Sequence, residues 1–194
     1  MNKKYQLSKL ESILKMNGNI QKILKRAPGL RMPNWHLASG CIPQTVWNVL
    51  HGFEPDYSIK DYDLVYYDSS DTTPEGEDAY VQMGKELFKD ISAEVEIKNQ
   101  ARVHLWFERK FGFKIPPYQS AEDAISSWST TATCIGVRCV GNKLGVYAPY
   151  GLDDIFQMIV RPAKRLFTKE MYENKVNRWM KMWPKIKVIP WDSQ

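Results

Sequence analysis

Between residues 5 and 25 apolar side chains recur at helical steps, as Leu7, Leu10, Ile13, Leu14, Ile20, Ile23 and Leu24, with lysines between them. Spacings of three and four put such residues on one side of a helix, where they can be buried together. Gly18 interrupts the pattern, which predicts two helices or one with a break, and Pro28-Gly29 closes it. Trp35 to Ala38 reads as a strand entry, and Cys41 to His51 as a helix stopped at Gly52. Tyr62 to Tyr67 is rich in β-formers and predicts a central strand, followed by an acidic turn from Asp68 to Asp78. A helix over 77–90 comes next. Glu94 to Lys98 alternates strictly, as a strand with one wet face does. Asn99 is placed to cap a helix over 100–110, which Gly112 terminates.

Further on, Ala121 to Ser127 predicts a short helix. Ile135–Val140 and Leu144–Tyr147, joined by Gly141-Asn142-Lys143, predict a β-hairpin. A short helix over 151–156 and a longer Trp- and Met-rich one over 168–182 complete the chain. No internal repeat is visible. Helices and strands in this order predict a mixed α+β or α/β protein. The length of 194 residues suits one domain, with a helical segment over about 1–27 and a C-terminal helix over about 168–182.

Composition narrows the classes. An apolar content of 43% with 25% charged residues is that of a soluble globular protein. No run approaches the roughly 20 apolar residues of a membrane span, and no apolar stretch follows the basic start, so a cytoplasmic protein without a membrane partner is expected. Cys41, Cys134 and Cys139 lack metal-ligand spacing, which argues against zinc and against a disulfide framework. The net charge is +5, with lysines gathered over 3–25 and 164–187 and an acidic cluster over 61–78. Basic flanks around acidic residues suit a polyanion held beside bound cations, although solvated helix faces account for most of these lysines.

The candidate chemistry begins at Asp61-Tyr62-Asp63, at the head of the predicted strand. Alternate residues project to one side of a strand, about 7 Å apart at their α-carbons. At an effective dielectric near 20, two like charges at that distance repel by roughly 2–3 kcal/mol. A divalent cation between them would convert the repulsion into binding, and Mg²⁺ commonly takes one or two carboxylates plus substrate phosphates. Alone, Asp-x-Asp is equally a solvated strand end. Upstream, Ala38-Ser39-Gly40 stands at a strand-to-helix junction, with Pro43 in the first helical turn. Free N–H groups at a helix start bind phosphate oxygens, and a glycine there lets them come close. A small-residue cradle, a helix and then paired aspartates would place triphosphate and metal side by side.

With these residues in hand, the chain resembles the bacterial nucleotidyltransferase-like family of unassigned substrate, within the polymerase-beta type nucleotidyltransferase superfamily. The resemblance is carried by Ser39-Gly-Cys-Ile-Pro-Gln-Thr-Val-Trp-Asn-Val-Leu-His-Gly and Asp61-Tyr-Asp-Leu-Val-Tyr-Tyr-Asp. It continues in Lys98-Asn-Gln-Ala-Arg-Val-His104, Thr131-Ala-Thr133, Ala148-Pro-Tyr-Gly-Leu-Asp-Asp154 and Arg161-Pro162, and spans roughly residues 34–185. The usual Gly-Ser order of the superfamily is inverted here as Ser39-Gly40.

The resemblance implies a nucleotidyltransferase-like mixed sheet flanked by helices. It also implies two carboxylates on one strand, Asp61 and Asp63, as metal ligands and catalytic groups, with a third on a neighbouring strand. Glu96 is favoured for the third, with Glu94 the alternative. Mg²⁺ or Mn²⁺ would be the cofactor and a nucleoside triphosphate the donor, with an acceptor that is a small molecule, RNA or protein. Ser39, Gly40, Lys98 and Arg102 are candidate nucleotide contacts; a structural salt bridge is the equal alternative for Lys98 and Arg102. Asn99 reads first as a cap, His104 as a satisfied core or supporting histidine, Asp153 and Asp154 as helix-start residues, and Trp179, Met180, Met182 and Trp183 as core. An inactive nucleotide- or RNA-binding module, and a structural partner using its basic ends, are the competing readings.

Overall fold

The computed structural model describes residues 2–141 and 143–193. Two helices open the chain, α1 (Lys3–Leu14) and α2 (Gly18–Arg26). The break between them is a cap. Asn17 accepts from the backbone N–H groups of Asn19 and Ile20, closing the start of α2, and its amide donates to Thr45 Oγ1 at 2.9 Å. The first strand, β1 (His36–Ala38), runs directly into α3 (Cys41–His51), which Gly52 ends in a left-handed conformation.

Next come β2 (Asp61–Tyr66), α4 (Pro74–Leu87) and β3 (Glu94–Asn99). Helix α4 starts and ends three residues earlier than the apolar pattern suggested. Thr73 caps it, accepting from the Gly76 N–H, and Pro74 occupies the first turn, where a missing N–H costs nothing. Asn99 accepts from the Ala101 N–H and opens a 3₁₀ turn, after which α5 (Val103–Phe111) runs to Gly112. The remaining elements are α6 (Ala121–Ile125), β4 (Gly136–Val140), β5 (Lys143–Tyr147), α7 (Asp153–Phe156), β6 (Ile159–Val160), α8 (Lys169–Met182) and β7 (Lys187–Val188). The expected hairpin is β4 and β5; Asn142 of its turn lies outside the described residues. The two-residue parallel pair of β6 and β7 had no counterpart in the sequence reading.

The main sheet has the order β3-β2-β1-β4-β5. β2 and β3 are parallel, joined through α4, as parallel neighbours require a crossover. β1 is antiparallel to both β2 and β4, and β4 to β5, giving the expected mixed sheet of an α+β protein. One side of the sheet presents Leu37, Leu64, Ile97 and Val137, which join the main core with residues of α1 to α3 and α8. The other side carries the polar residues described below, and is partly roofed by a separate aromatic cluster around Val103 and Phe107.

Helix α8 is fixed by tryptophans. Trp47 of α3 meets Trp179 at 5.3 Å and Trp183 at 5.8 Å between ring centroids, both edge-on, a favoured aromatic geometry. The Trp183 indole N–H donates to Asn48 Oδ1 at 2.6 Å, so its one polar atom is satisfied inside the core. This anchorage sets where Lys175, one helical turn before Trp179, must point.

Candidate functional site

The β2–β3 register puts Asp61 opposite Glu94 and Asp63 opposite Glu96, while β1 sets Ala38 opposite Asp63. All of these share one side of the sheet, because side chains alternate along a strand. Asp61 is exposed and Asp63 half-buried. Just past Ala38 the chain turns into α3, whose N-cap Gly40 offers no side-chain hydrogen bond to the first N–H groups. The start of α3 is electrically in contact with the aspartates. The buried Cys41 thiol, which donates to the Ala38 carbonyl at 3.3 Å, is pushed well above its usual range, first by burial and then by the charges of Asp63 and Asp61.

The inverted Ser39-Gly40 order has a definite geometry. Ser39, not the glycine, takes the left-handed conformation, with φ of 66°, which is uncommon for a residue with a β-carbon. Gly40 is ordinary in φ, but a β-carbon there would come within 2.8 Å of the Gln44 amide nitrogen. Strain of this kind persists only where the surroundings over-determine it, and such residues cluster at functional sites.

Asp63 is the electrostatic focus. Burial, then the charges of Asp61 and Glu96, push its carboxyl up to about 7, while Lys175 and the Ser39 hydroxyl oppose the rise. Lys175 was not foreseen. Its ammonium donates to Ser129 Oγ at 3.3 Å and lies 5.1 Å from the centre of the Trp179 ring. Burial lowers its pKa and the facing Asp63 raises it. Nothing in the sequence connects residue 175 with residue 63; the packing of α8 on α3 does.

Ser39, Asp63, Glu96, Lys98, Ser129 and Lys175 border one cavity of about 330 Å³. Lys98 is not free, since its ammonium pairs with Glu96 Oε1 at 2.9 Å. A second, much smaller recess of about 40 Å³ adjoins Asp61 and is bordered by Gln44, Lys60 and Arg178. Glu94 borders neither of these two recesses.

Arg102 does not join the group. The β2–α4–β3 crossover brings Glu77 of α4 against it, and its guanidinium pairs with Glu77 Oε1 and donates to the Thr72 carbonyl at 3.3 Å. The two side chains are only 13% and 14% exposed, so this is a scaffold ion pair on the acidic loop. Arg102→Gln is expected to cost about 2 kcal/mol, the penalty for leaving a buried charged partner short of bonds. A denaturant titration checks the loss, while nucleotide affinity of the folded protein, measured by calorimetry, stays unchanged.

Other singled-out residues also hold the frame. Asn99 donates to the carbonyls of Asp68 and Asp71 at 2.8 and 3.0 Å besides capping the following turn. Asp154 accepts from Arg161 at 3.0 Å and from Thr131 at 2.7 Å, and Asp153 from Gln6 at 2.7 Å. His104 departs from the satisfied histidine expected of it, because its Nδ1 is buried without a partner. Trp179 and Trp183 are core, while Met180 is exposed at 43%.

The residues suit a hard cation, with carboxylate oxygens as donors and one carboxyl held up by its neighbours' charges. Among the described residues no three His, Cys, Asp or Glu side chains stand close enough to enclose an ion unaided. Substrate oxygens would have to complete the shell, as they usually do for Mg²⁺.

The five-stranded mixed sheet flanked by helices is that of a nucleotidyltransferase-like head domain. Residues 25–188 match the family model described as nucleotidyltransferase, and the chain belongs to that family. A solved NMR structure reported to reveal a CCA-adding enzyme head domain is 24% identical, with a TM-score of 0.74 over 97% of this chain and 96% of that one. This likeness establishes the fold. No curated protein matches the chain.

Proposed function

We propose that the protein transfers a nucleotidyl group from a nucleoside triphosphate to an acceptor, with Mg²⁺ or Mn²⁺ held by Asp61 and Asp63. The observation that carries the reading is the Asp63 carboxyl, pushed up to about 7 among Asp61, Glu96 and Lys175 beside the start of α3. Strongly shifted groups in clefts mark functional sites. The N–H groups of α3 at Gly40 and Cys41, with the Ser39 hydroxyl, are the residues to receive phosphate oxygens. Bound metal would supply charge neutralisation on the phosphates and lower the pKa of the acceptor hydroxyl.

In the transfer, an acceptor oxygen bonds to the α-phosphorus while the bond from that phosphorus to the bridging oxygen breaks. Pyrophosphate leaves with the electron pair of that bond. Glu96, opposite Asp63 and on the cavity wall, is the group to accept the acceptor's proton. It is preferred to Glu94, which borders neither the cavity nor the smaller recess beside Asp61.

The Glu96–Lys98 pair, which engages the group needed to take the acceptor's proton, favours a second reading, a nucleotide- or RNA-binding module without turnover. The two part company in one assay. Labelled nucleoside triphosphates are supplied singly with Mg²⁺ or Mn²⁺, using RNA and small-molecule fractions as acceptors. Transfer predicts label on an acceptor and released pyrophosphate, both lost in EDTA. Nucleotide binding without pyrophosphate supports the module. Absence of binding to both nucleotide and RNA by calorimetry removes both.

A further inference from the structure

The cavity beside Asp63 does not end at its polar residues. It is also walled by Trp106, Phe107, Phe111, Trp128 and Phe167. Helix α5 supplies most of this wall, with Val103, Trp106, Phe107, Lys110 and Phe111 at successive three- and four-residue steps on one side. Phe107 is the buried centre, touching Phe111 at 4.4 Å, while Trp106 and Phe111 are only half-buried. Aromatic side chains packed as core would close the space between them, because well-packed interiors leave few voids larger than a water. Here they leave about 330 Å³ open, within the range of small-molecule sites.

The chemistry of the wall selects among occupants. Its surface is mostly rings, whose flat faces match another ring better than an alkyl chain. The Lys110 ammonium stands over the rings of Trp106 and Phe111, 5.6 and 5.4 Å from their centres, and brings a positive charge to the aromatic wall. Lys98 is on the same wall, but its charge is taken by Glu96. The largely buried Gln100 amide also borders it, a hydrogen-bonding group for the edge of a heterocycle. Rings, an amide and the Lys110 cation together suit a planar heteroaromatic group bearing a negative substituent.

The position within the site selects the role. Asp63 and Glu96 are on the wall of this cavity, whereas Asp61 with Lys60 and Arg178 borders the smaller polar recess. The geometry points to the aromatic wall of the cavity as the seat of the acceptor, and assigns the acceptor to the class of nucleotide-like molecules, a heteroaromatic ring stacked on Trp106 and an anionic group near Lys110. This rests on the transfer reading above and narrows its open substrate. It leaves the acceptor's hydroxyl on the Glu96 side of Asp63, where a proton acceptor is needed.

Calorimetry tests the assignment with three probes: the four nucleoside 5′-monophosphates, ribose 5-phosphate, and Mg²⁺ with tripolyphosphate. At least one monophosphate is expected to bind about tenfold more tightly than ribose 5-phosphate, at the lower end of base–aromatic stacking. Trp106→Ala is expected to erase that difference and Trp106→Phe to keep most of it, with tripolyphosphate affinity equal in all three proteins. Equal binding of ring-bearing and ring-free probes, or a folded Trp106→Ala protein that binds like the wild type, overturns the ring seat. Saturation with a non-hydrolysable α,β-methylene triphosphate separates the two sources of a ring. Monophosphate binding that persists supports an acceptor seat; competition assigns the cavity to the donor's base and overturns it. Loss of tripolyphosphate binding in every protein, with the ring preference intact, would instead remove the transfer reading.

Discussion

Asp63→Asn is expected to cut the proposed transfer by at least about a thousandfold while making the metal-free protein more stable at pH 8. The two effects have one cause. In the folded protein the Asp63 carboxyl is pushed up to about 7, above the usual carboxylate value of 3.8. Through the window between those values the folded state holds a proton that the unfolded chain has released. Folding stability therefore falls as pH rises across it, and levels off above about 7. At about 1.4 kcal/mol for each tenfold change in proton affinity, the loss at pH 8 reaches up to about 4 kcal/mol. Asparagine has the same shape and no charge to confine, so it recovers part of this. Thermal unfolding in EDTA is expected to show a higher midpoint for Asp63→Asn at pH 8 and a smaller gain at pH 5. The same change removes a charged donor from any cation beside the phosphates, where charge stabilisation is worth several kcal/mol. Transfer should fall by about a thousandfold or more. A variant that transfers normally, or that is less stable than the wild type at pH 8 in EDTA, defeats the account.

Two like charges set side by side on a strand are the kind of conflict that local sequence reading can detect. Asp61-Tyr-Asp could be read as a same-side pair because strand alternation is a local rule, and the parallel β2–β3 register then set Glu94 and Glu96 beside it. Helix boundaries were legible for a similar reason: Asn99 as a cap and Gly52 as a stop act within a few residues of themselves. Arg102 was not, because its partner Glu77 arrives through the α4 crossover. The wall of rings on α5 was hidden differently. Trp106, Phe107 and Phe111 at helical spacing look like core from sequence, and Phe107 is core; only the three-dimensional packing shows that its neighbours stop short of filling the space. Ser39 is a third case, where the inverted dipeptide was visible but its left-handed backbone was not.

Lys175 is the residue with the largest consequence that no local pattern could reveal, and its removal is expected to slow transfer by about a hundredfold. It reaches the site because Trp179, one turn later on α8, is locked against Trp47. Its ammonium faces Asp63 and opposes the rise of that carboxyl. Lys175→Met keeps the aliphatic stem and deletes the charge. Without it Asp63 holds its proton to still higher pH, so the acid side of the kcat/KM profile should move upward. A fixed cation pointed at developing negative charge typically contributes a factor of about 10² to 10³, and a lysine serves as a point charge toward phosphate oxygens. The loss should show in kcat/KM for the triphosphate at pH 7 and be partly restored in Lys175→Arg. At pH 5, where Asp63 holds its proton and no carboxylate is left uncompensated, stability should change little, since the desolvation of the buried ammonium is then relieved without stranding a charge. A merely structural lysine would do the reverse: its loss would lower the unfolding midpoint and leave the pH profile where it was.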